Sequence, residues 1–98
     1  MKLKNIASNV TEIIADNGSK IMFSYETPVS GYINNYGFFK TTTKHSVTTT
    51  KHINKYLREE LKDNANFEHE TINEVSQELI NSWVNVFNNT KYDLFKTT

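Results

Sequence analysis

Apolar and polar positions alternate along the first half of the chain, which is typical of β-strands. Two such runs flank Asn17-Gly18, a dipeptide that favours a type I′ turn because both residues accept positive φ. A two-residue loop there would pair Ile14 with Ile21. This register predicts an apolar hairpin face that consists of Val10, Ile14, Ile21, Phe23 and Tyr25. Glu12 is the exception on this face and is expected at its rim.

Beyond Pro28, which has no N–H to donate to a strand ladder, a second strand pair is predicted. Its strands would span residues 29–33 and 38–43, with a turn at 34–37 between them. Adjacent Phe38 and Phe39 would point to opposite faces of the sheet, so one of the pair is expected to be exposed or covered by a helix.

The second half of the chain has helical periodicity. Ile53, Tyr56 and Leu57 fall on one face of a first helix. A second helix carries an apolar stripe between residues 72 and 87, and the tetrapeptide 71–74 has the form of an N-terminal capping box, with a start near residue 66 as the alternative.

This order of elements predicts a single α+β domain over residues 1–98. A small antiparallel sheet of three to four strands, at about residues 9–48, would precede two helices at about 49–88. Both helices would pack on one face of the sheet, and a tail at 89–98 would dock on the core.

Charge is balanced over the whole chain and divided along it. Residues 27–58 contain five basic residues and no acidic one, whereas residues 59–80 contain seven acids and one lysine. Such a division suggests a partner without naming it. A homodimer that sets a basic helix against an acidic one is one alternative, and pairing of the two helices within one chain is the other.

The pentapeptide Thr-Thr-Thr-Lys-His occurs twice, at residues 41–45 and 48–52. Hydroxyls, cations and N–H groups before a helix suggest a phosphate site, although a Thr-rich strand leading to a helix capped by Thr48 or Thr49 is the alternative. Cations at helical spacing could follow a phosphate backbone or form a solvated helix face. The predicted contact residues are Lys44, His45, Thr48, Thr49, Lys51, His52, Lys55, Arg58 and Lys62, and a secondary acidic face comprises Glu70, Glu74 and Glu78.

Motifs for catalysis, metals and membranes are missing from the sequence. There is no Gly-rich phosphate loop, nucleophile elbow or HExxH, so we expect no enzyme. With no cysteine and three widely spaced histidines, we expect no metal and no cofactor. No apolar run could span a membrane, and the lack of cysteine is typical of the cytoplasm.

Two blocks, Phe-Ser-Tyr-Glu-Thr-Pro-Val at 23–29 and Ser-Val-Thr-Thr-Thr-Lys-His-Ile at 46–53 followed by Leu57, carry a resemblance. They resemble a family of small proteins of unknown function that occurs mainly in bacteriophages and other mobile elements. The resemblance spans about residues 17–57 and implies a phage protein in the host cytoplasm. By analogy with phage proteins of this size, we expect an inhibitor of a host protein complex, including anti-CRISPR-like inhibitors, and the alternative is a nucleic-acid-binding accessory protein.

Overall fold

The computed structural model describes residues 2–62 and 72–88. The chain has an α+β fold in which one mixed sheet contains six strands in sequential order. All neighbouring strands are antiparallel except the last two, which are parallel. The elements are β1 (Lys2–Ala7), β2 (Val10–Ile14), β3 (Lys20–Ser24), β4 (Thr27–Ile33), β5 (Gly37–Thr41), α1 (Val47–Lys62), β6 (Asn73–Val75) and α2 (Gln77–Asn88).

The predicted count of three to four strands was therefore wrong, because β1 and β6 were missed. All six residues of β1 are exposed, so the strand has no buried face that would give it an alternating pattern. β6 has three residues and lies where spacing predicted a helix. Its pairing with β5, at Phe39 opposite Asn73 through Thr41 opposite Val75, is a tertiary contact that outweighs local preference.

The first hairpin differs from its predicted register by one residue. Ile21 pairs with Ile13, and Ile14 pairs with Lys20. The N–H of Gly18 donates to the carbonyl of Ala15 at 3.0 Å, and Gly18 has φ of 90°, so the loop has three residues and ends in a left-handed glycine. A shift of one residue exchanges the two faces of a strand, so the predicted single apolar face does not form.

The second hairpin confirms the prediction: β4 pairs with β5 from Ser30 opposite Lys40 to Ile33 opposite Gly37. On its other side, β4 pairs with β3 through an irregular register. Met22 lies opposite Ser30 and Phe23 lies opposite Pro28, which leaves Val29 as the extra residue of a bulge. The bulge accommodates a proline inside the sheet.

Two apolar clusters occupy opposite sides of the sheet. Phe38 and Phe39 are both buried and belong to different clusters, as expected for adjacent residues of a strand. One cluster combines strand residues with α2 residues, namely Ile13, Ile21, Ile33, Phe39 and Val75 with Ile80, Trp83 and Phe87. The other combines strand residues with α1 residues, namely Val10, Met22, Val29 and Phe38 with Ile53, Tyr56 and Leu57. The helices therefore contribute to opposite sides of the sheet, and not to one face as predicted.

Both helices begin at serine caps that the sequence analysis did not select. The hydroxyl of Ser46 accepts the N–H of Thr49 at 3.1 Å, and the hydroxyl of Ser76 accepts the N–H of Leu79 at 3.1 Å. The predicted caps of α1, Thr48 and Thr49, lie inside the helix. The predicted capping box at 71–74 is also wrong, because β6 occupies its second half. The alternative helix start near residue 66 and the tail at 89–98 lie outside the described residues.

Candidate functional site

The outward face of α1 carries exposed cations. Lys51, Lys55 and Arg58 are exposed, and Lys62 is the last residue of the helix. The opposite face holds the buried side chains of the α1 cluster. The predicted helical phase is therefore confirmed. Within the described parts of the chain, none of the three exposed cations forms an ion pair.

The two copies of the Thr-Lys-His repeat adopt different structures. In the first copy Thr41 ends β5, and Lys44 and His45 lie in the connection to α1. The second copy forms the first turns of α1, where Thr48 is exposed and Thr49 is buried. The repeat is consequently not a structural repeat, and its two histidines contact different elements.

His45 belongs to a hydrogen-bond network around Gln77, the first residue of α2. The Nε2 of Gln77 donates to the carbonyl of Pro28 at 2.7 Å, which identifies Oε1 as the acceptor end of the amide. Oε1 then accepts the hydroxyl of Thr41 at 2.9 Å and Nε2–H of His45 at 3.0 Å. These bonds connect β4, β5 and the loop before α1 to α2.

His52 belongs to a second network, between β3 and α1. The buried Ser24 hydroxyl lies 3.0 Å from the Thr49 hydroxyl and 2.7 Å from Nδ1 of His52. Ser24 is 1% exposed, so its hydroxyl, beside the histidine, is closed off from solvent. The network holds α1 against the sheet and orients His52.

Tyr25 lies next to this network, on the exposed turn between β3 and β4. Its φ is 58°, which is unusual for a bulky residue, and its N–H donates to the carbonyl of Asn9 at 2.7 Å. The ring is 52% exposed, and its centroid lies 5.9 Å from that of His52. Sequence reasoning placed Tyr25 on a hairpin face and could not connect it to α1.

The predicted acidic face does not form a stripe on one helix. Glu74 lies in β6, and Glu78 lies in the first turn of α2, because that helix begins only at Gln77. Both side chains are exposed. Glu70 lies outside the described residues.

A cleft of about 470 Å³ separates the first two strands from α1. Its buried members include Glu12, 3% exposed, and Tyr56, whose hydroxyl donates to Oε2 of Glu12 at 2.6 Å. Burial above all, and then Glu12 and Glu60, raise the pKa of Tyr56 far above its ordinary value. Sequence reasoning placed Glu12 at the rim of the predicted hairpin face. The available signal for a buried carboxylate was that Glu12 interrupts a pattern of apolar positions.

Other side chains around the cleft carry both signs of charge. Lys4 lines it from β1, and Lys55 and Glu59 line it from α1. Glu60 also lines it and pairs with Nζ of Lys20 at 3.0 Å. Among the residues that the structure covers, no group of acidic and histidine side chains is arranged to hold a metal ion. Over the same residues, no helix has the length and apolarity needed to cross a membrane.

The fold and these surfaces define a small α+β protein with a mixed sheet, a cationic helix face and a charged cleft. Residues 1–74 match DUF8033, a family of unknown function, and the chain belongs to this family. The match includes all of β1 to β5 and α1. No curated protein and no solved structure matches the chain.

Proposed function

We propose that this chain is a non-enzymatic accessory protein of phage type that binds and inhibits a host protein complex. The binding surface is the α1 surface, defined as Lys44, Thr48, Lys51, Lys55, Arg58 and Tyr25. One observation carries the proposal: exposed cations follow the outward face of α1, and an exposed tyrosine lies beside the same helix.

The chemistry of the α1 surface suits a protein interface. Tyrosine and arginine are the residues that most often dominate binding energy at such interfaces. Tyr25 is held in place by the hydrogen bond of its backbone to Asn9 and by the His52 ring. A side chain that is already ordered loses less entropy on binding, which favours affinity.

A partner surface that complements the cations of the α1 surface is acidic, and in this proposal it belongs to a host protein complex. The resemblance to small phage proteins supports a target in the host, and inhibition of a defence system, as by anti-CRISPR proteins, is the leading case. A formal net charge of zero supports a protein target, because dedicated nucleic-acid-binding domains are usually basic overall.

The test is a pulldown of tagged protein from a lysate of the host bacterium, with nuclease added, read by mass spectrometry. The test variant is Lys51→Ala/Arg58→Ala, which spares Lys55 because that residue also lines the cleft. Its matched control is Lys2→Ala/Lys40→Ala, which removes the same charge from the sheet. We expect one host complex on the wild type and the control but not on the test variant.

Inhibition is then measured by adding the purified protein to the captured complex and assaying that complex. Wild type and control should inhibit, and Lys51→Ala/Arg58→Ala should inhibit at least about tenfold less well, as expected for loss of two interface cations. Equal capture by both variants would place the interface elsewhere and refute the assignment of the α1 surface.

Binding of nucleic acid is the second candidate function. It is favoured by the spacing of Lys51, Lys55 and Arg58 over successive turns and by the exposed hydroxyl of Thr48 next to them. Phosphate contacts predict affinity that falls steeply with salt, whereas a mixed protein interface is less sensitive. Retention of nucleic acid alone, lost with nuclease and in the Lys51→Ala/Arg58→Ala variant, would replace the inhibitor proposal by this one.

A further inference from the structure

Glu12 is a buried carboxylate that lacks a cationic partner among the described residues. Its Oε2 accepts the hydroxyl of Tyr56, and its Oε1 receives no hydrogen bond. Every fully enclosed side-chain oxygen and nitrogen of the described residues has a partner, so Oε1 must retain access to the cleft that Glu12 lines. Buried charges in proteins are ordinarily paired, and this carboxylate accepts a hydrogen bond on only one of its two oxygens.

The cleft beside Oε1 of Glu12 is large enough to hold a small ligand. Its volume of about 470 Å³ falls within the range of small-molecule pockets. Ile6 and Val10 supply apolar wall, and the ring of Tyr56 lies beside the carboxylate. An occupant would therefore have both apolar side chains and the carboxylate of Glu12 within the same cleft.

We propose that the cleft binds a small primary alkylamine, with its ammonium group on Oε1 of Glu12 and its alkyl chain along Ile6 and Val10. This site shares Lys55 with the α1 surface, but the argument for it does not depend on the inhibitor proposal. An ammonium group would give Oε1 of Glu12 both a cationic partner and a hydrogen-bond donor. An anionic ligand would place like charges together in a poorly solvated position.

Two cations of this chain, Lys55 and Lys4, line the cleft and could compete for the position, and Lys4 is the one that the sheet places beside Glu12. It lies directly opposite Glu12 in the β1–β2 ladder, where side chains of one face are neighbours. Its ammonium is nevertheless not within ion-pair distance of Glu12, and its side chain is exposed. Lys4 therefore lines the cleft without forming an ion pair with Glu12, and an amine ligand can bind at the carboxylate.

The experiment is an NMR titration of the ¹⁵N-labelled full chain at neutral pH, with n-butylamine as the probe. n-Butanol and butanoate have similar shape but are neutral and anionic. We expect saturable amide shifts, confined to β1, β2 and α1, for n-butylamine, with a dissociation constant on the order of millimolar for so small a ligand. Butanol should bind at least about tenfold more weakly, and butanoate should not bind.

The test variant is Glu12→Gln, which keeps an acceptor for Tyr56 and removes the charge. We expect it to bind n-butylamine about tenfold or more weakly. Its control, Glu74→Gln, makes the same change on an exposed residue of β6 and should bind as the wild type does. Lys4→Gln removes one of the two cations that line the cleft and should bind as tightly as wild type or a few-fold more tightly.

Three results would refute the site: equal binding of butanol and butylamine, shifts outside the cleft, or unchanged affinity in Glu12→Gln. If that variant does not fold, the comparison of butylamine with butanol on the wild type and the result for Lys4→Gln decide the question. The tripeptide Gly-Lys-Gly separates a free amine from a lysine side chain. Its binding at least tenfold more tightly than butylamine would overturn the assignment to a free amine.

Discussion

Glu12 and Tyr56 connect the sheet to α1 through a hydrogen bond of 2.6 Å between two buried side chains. A phenol that donates to a carboxylate forms one of the stronger hydrogen bonds in a protein. Loss of the donor would leave a buried acceptor unsatisfied, which costs more than the bond contributes. This pair therefore contributes to the attachment of α1, together with the apolar cluster and the Ser24 network.

Tyr56→Phe should lower the free energy of unfolding by about 1–3 kcal/mol at pH 7, because the carboxylate loses its donor. Urea denaturation measures the change. The control is Tyr32→Phe, whose ring packs on Phe38 and whose hydroxyl forms no hydrogen bond with the described residues. The control should change stability by less than about 0.5 kcal/mol. Similar values for the two variants would contradict the role given to Tyr56.

The raised pKa of Tyr56 also predicts a dependence of stability on alkaline pH. The folded chain keeps the phenol proton, whereas the unfolded chain loses it above the ordinary pKa of 10.0. The contribution of Tyr56 is therefore complete below pH 10 and falls by about 1.4 kcal/mol per pH unit above it. Urea denaturation at pH 8 to 11 should show a steeper loss for wild type than for Tyr56→Phe. Parallel curves would contradict this expectation.

At the scale of elements, a sequence pattern predicted the structure correctly where the pattern is compatible with only one structure. The second hairpin and the helical phase of α1 follow from alternation and periodicity over several residues. Asn17-Gly18 is compatible with two loop types, since glycine accepts positive φ in both, and the sequence cannot select between them. Ser46, Thr48 and Thr49 can each cap a helix, so the choice among them depends on where the preceding strand ends.

The cap of α1 provides a direct test. Ser46→Ala should destabilise the chain by about 1 kcal/mol, since the N–H of Thr49 loses its acceptor. Thr48→Ala, which changes one of the two caps that the sequence predicted, should stay within about 0.5 kcal/mol of wild type. Thermal denaturation followed by circular dichroism measures both. A larger effect of Thr48→Ala would mean that the helix begins two residues later.

Gly31 allows β3 and β4 to approach closely. A Cβ at this position would lie 2.1 Å from the carbonyl oxygen of Lys20, and its φ is 154°. Gly31→Ala should therefore cost more than about 3 kcal/mol, combining a clash with backbone strain. Gly18→Ala meets no atom within 4 Å and should cost only about 1–2 kcal/mol from its positive φ. Urea denaturation measures the free energy of unfolding of both variants, and equal losses of stability would contradict the close approach of β3 and β4.

At the scale of the whole molecule, one sheet separates two apolar clusters, and each cluster includes a different helix. Adjacent residues of the same strands serve both clusters, as Phe38 and Phe39 show. Loss of either cluster would expose one face of every central strand. The described parts of the chain should consequently unfold as one cooperative unit.

Phe38→Ala tests this coupling, because Phe38 belongs to the α1 cluster and Trp83 to the α2 cluster. We expect a loss of about 3–4 kcal/mol that lowers the denaturation midpoints of Trp83 fluorescence and circular dichroism equally. Leu79→Ala, at a 39% exposed position of α2, is the control and should shift both much less. An unchanged fluorescence midpoint in Phe38→Ala would show that the two sides unfold separately.

The sequence by itself determined the α+β class, the second hairpin, the buried and cationic faces of α1, and the burial of Trp83 and Phe87 in α2, because each depends on a repeat of side chains over several residues. Only the tertiary structure decided the β1 and β6 strands, the apolar cluster to which each helix contributes, and the positions of Glu12 and Tyr25. Those features arise from contacts between distant residues, such as Glu12 with Tyr56 and β5 with β6. Such contacts leave no periodic trace in the chain, and the candidate cleft is formed entirely by them.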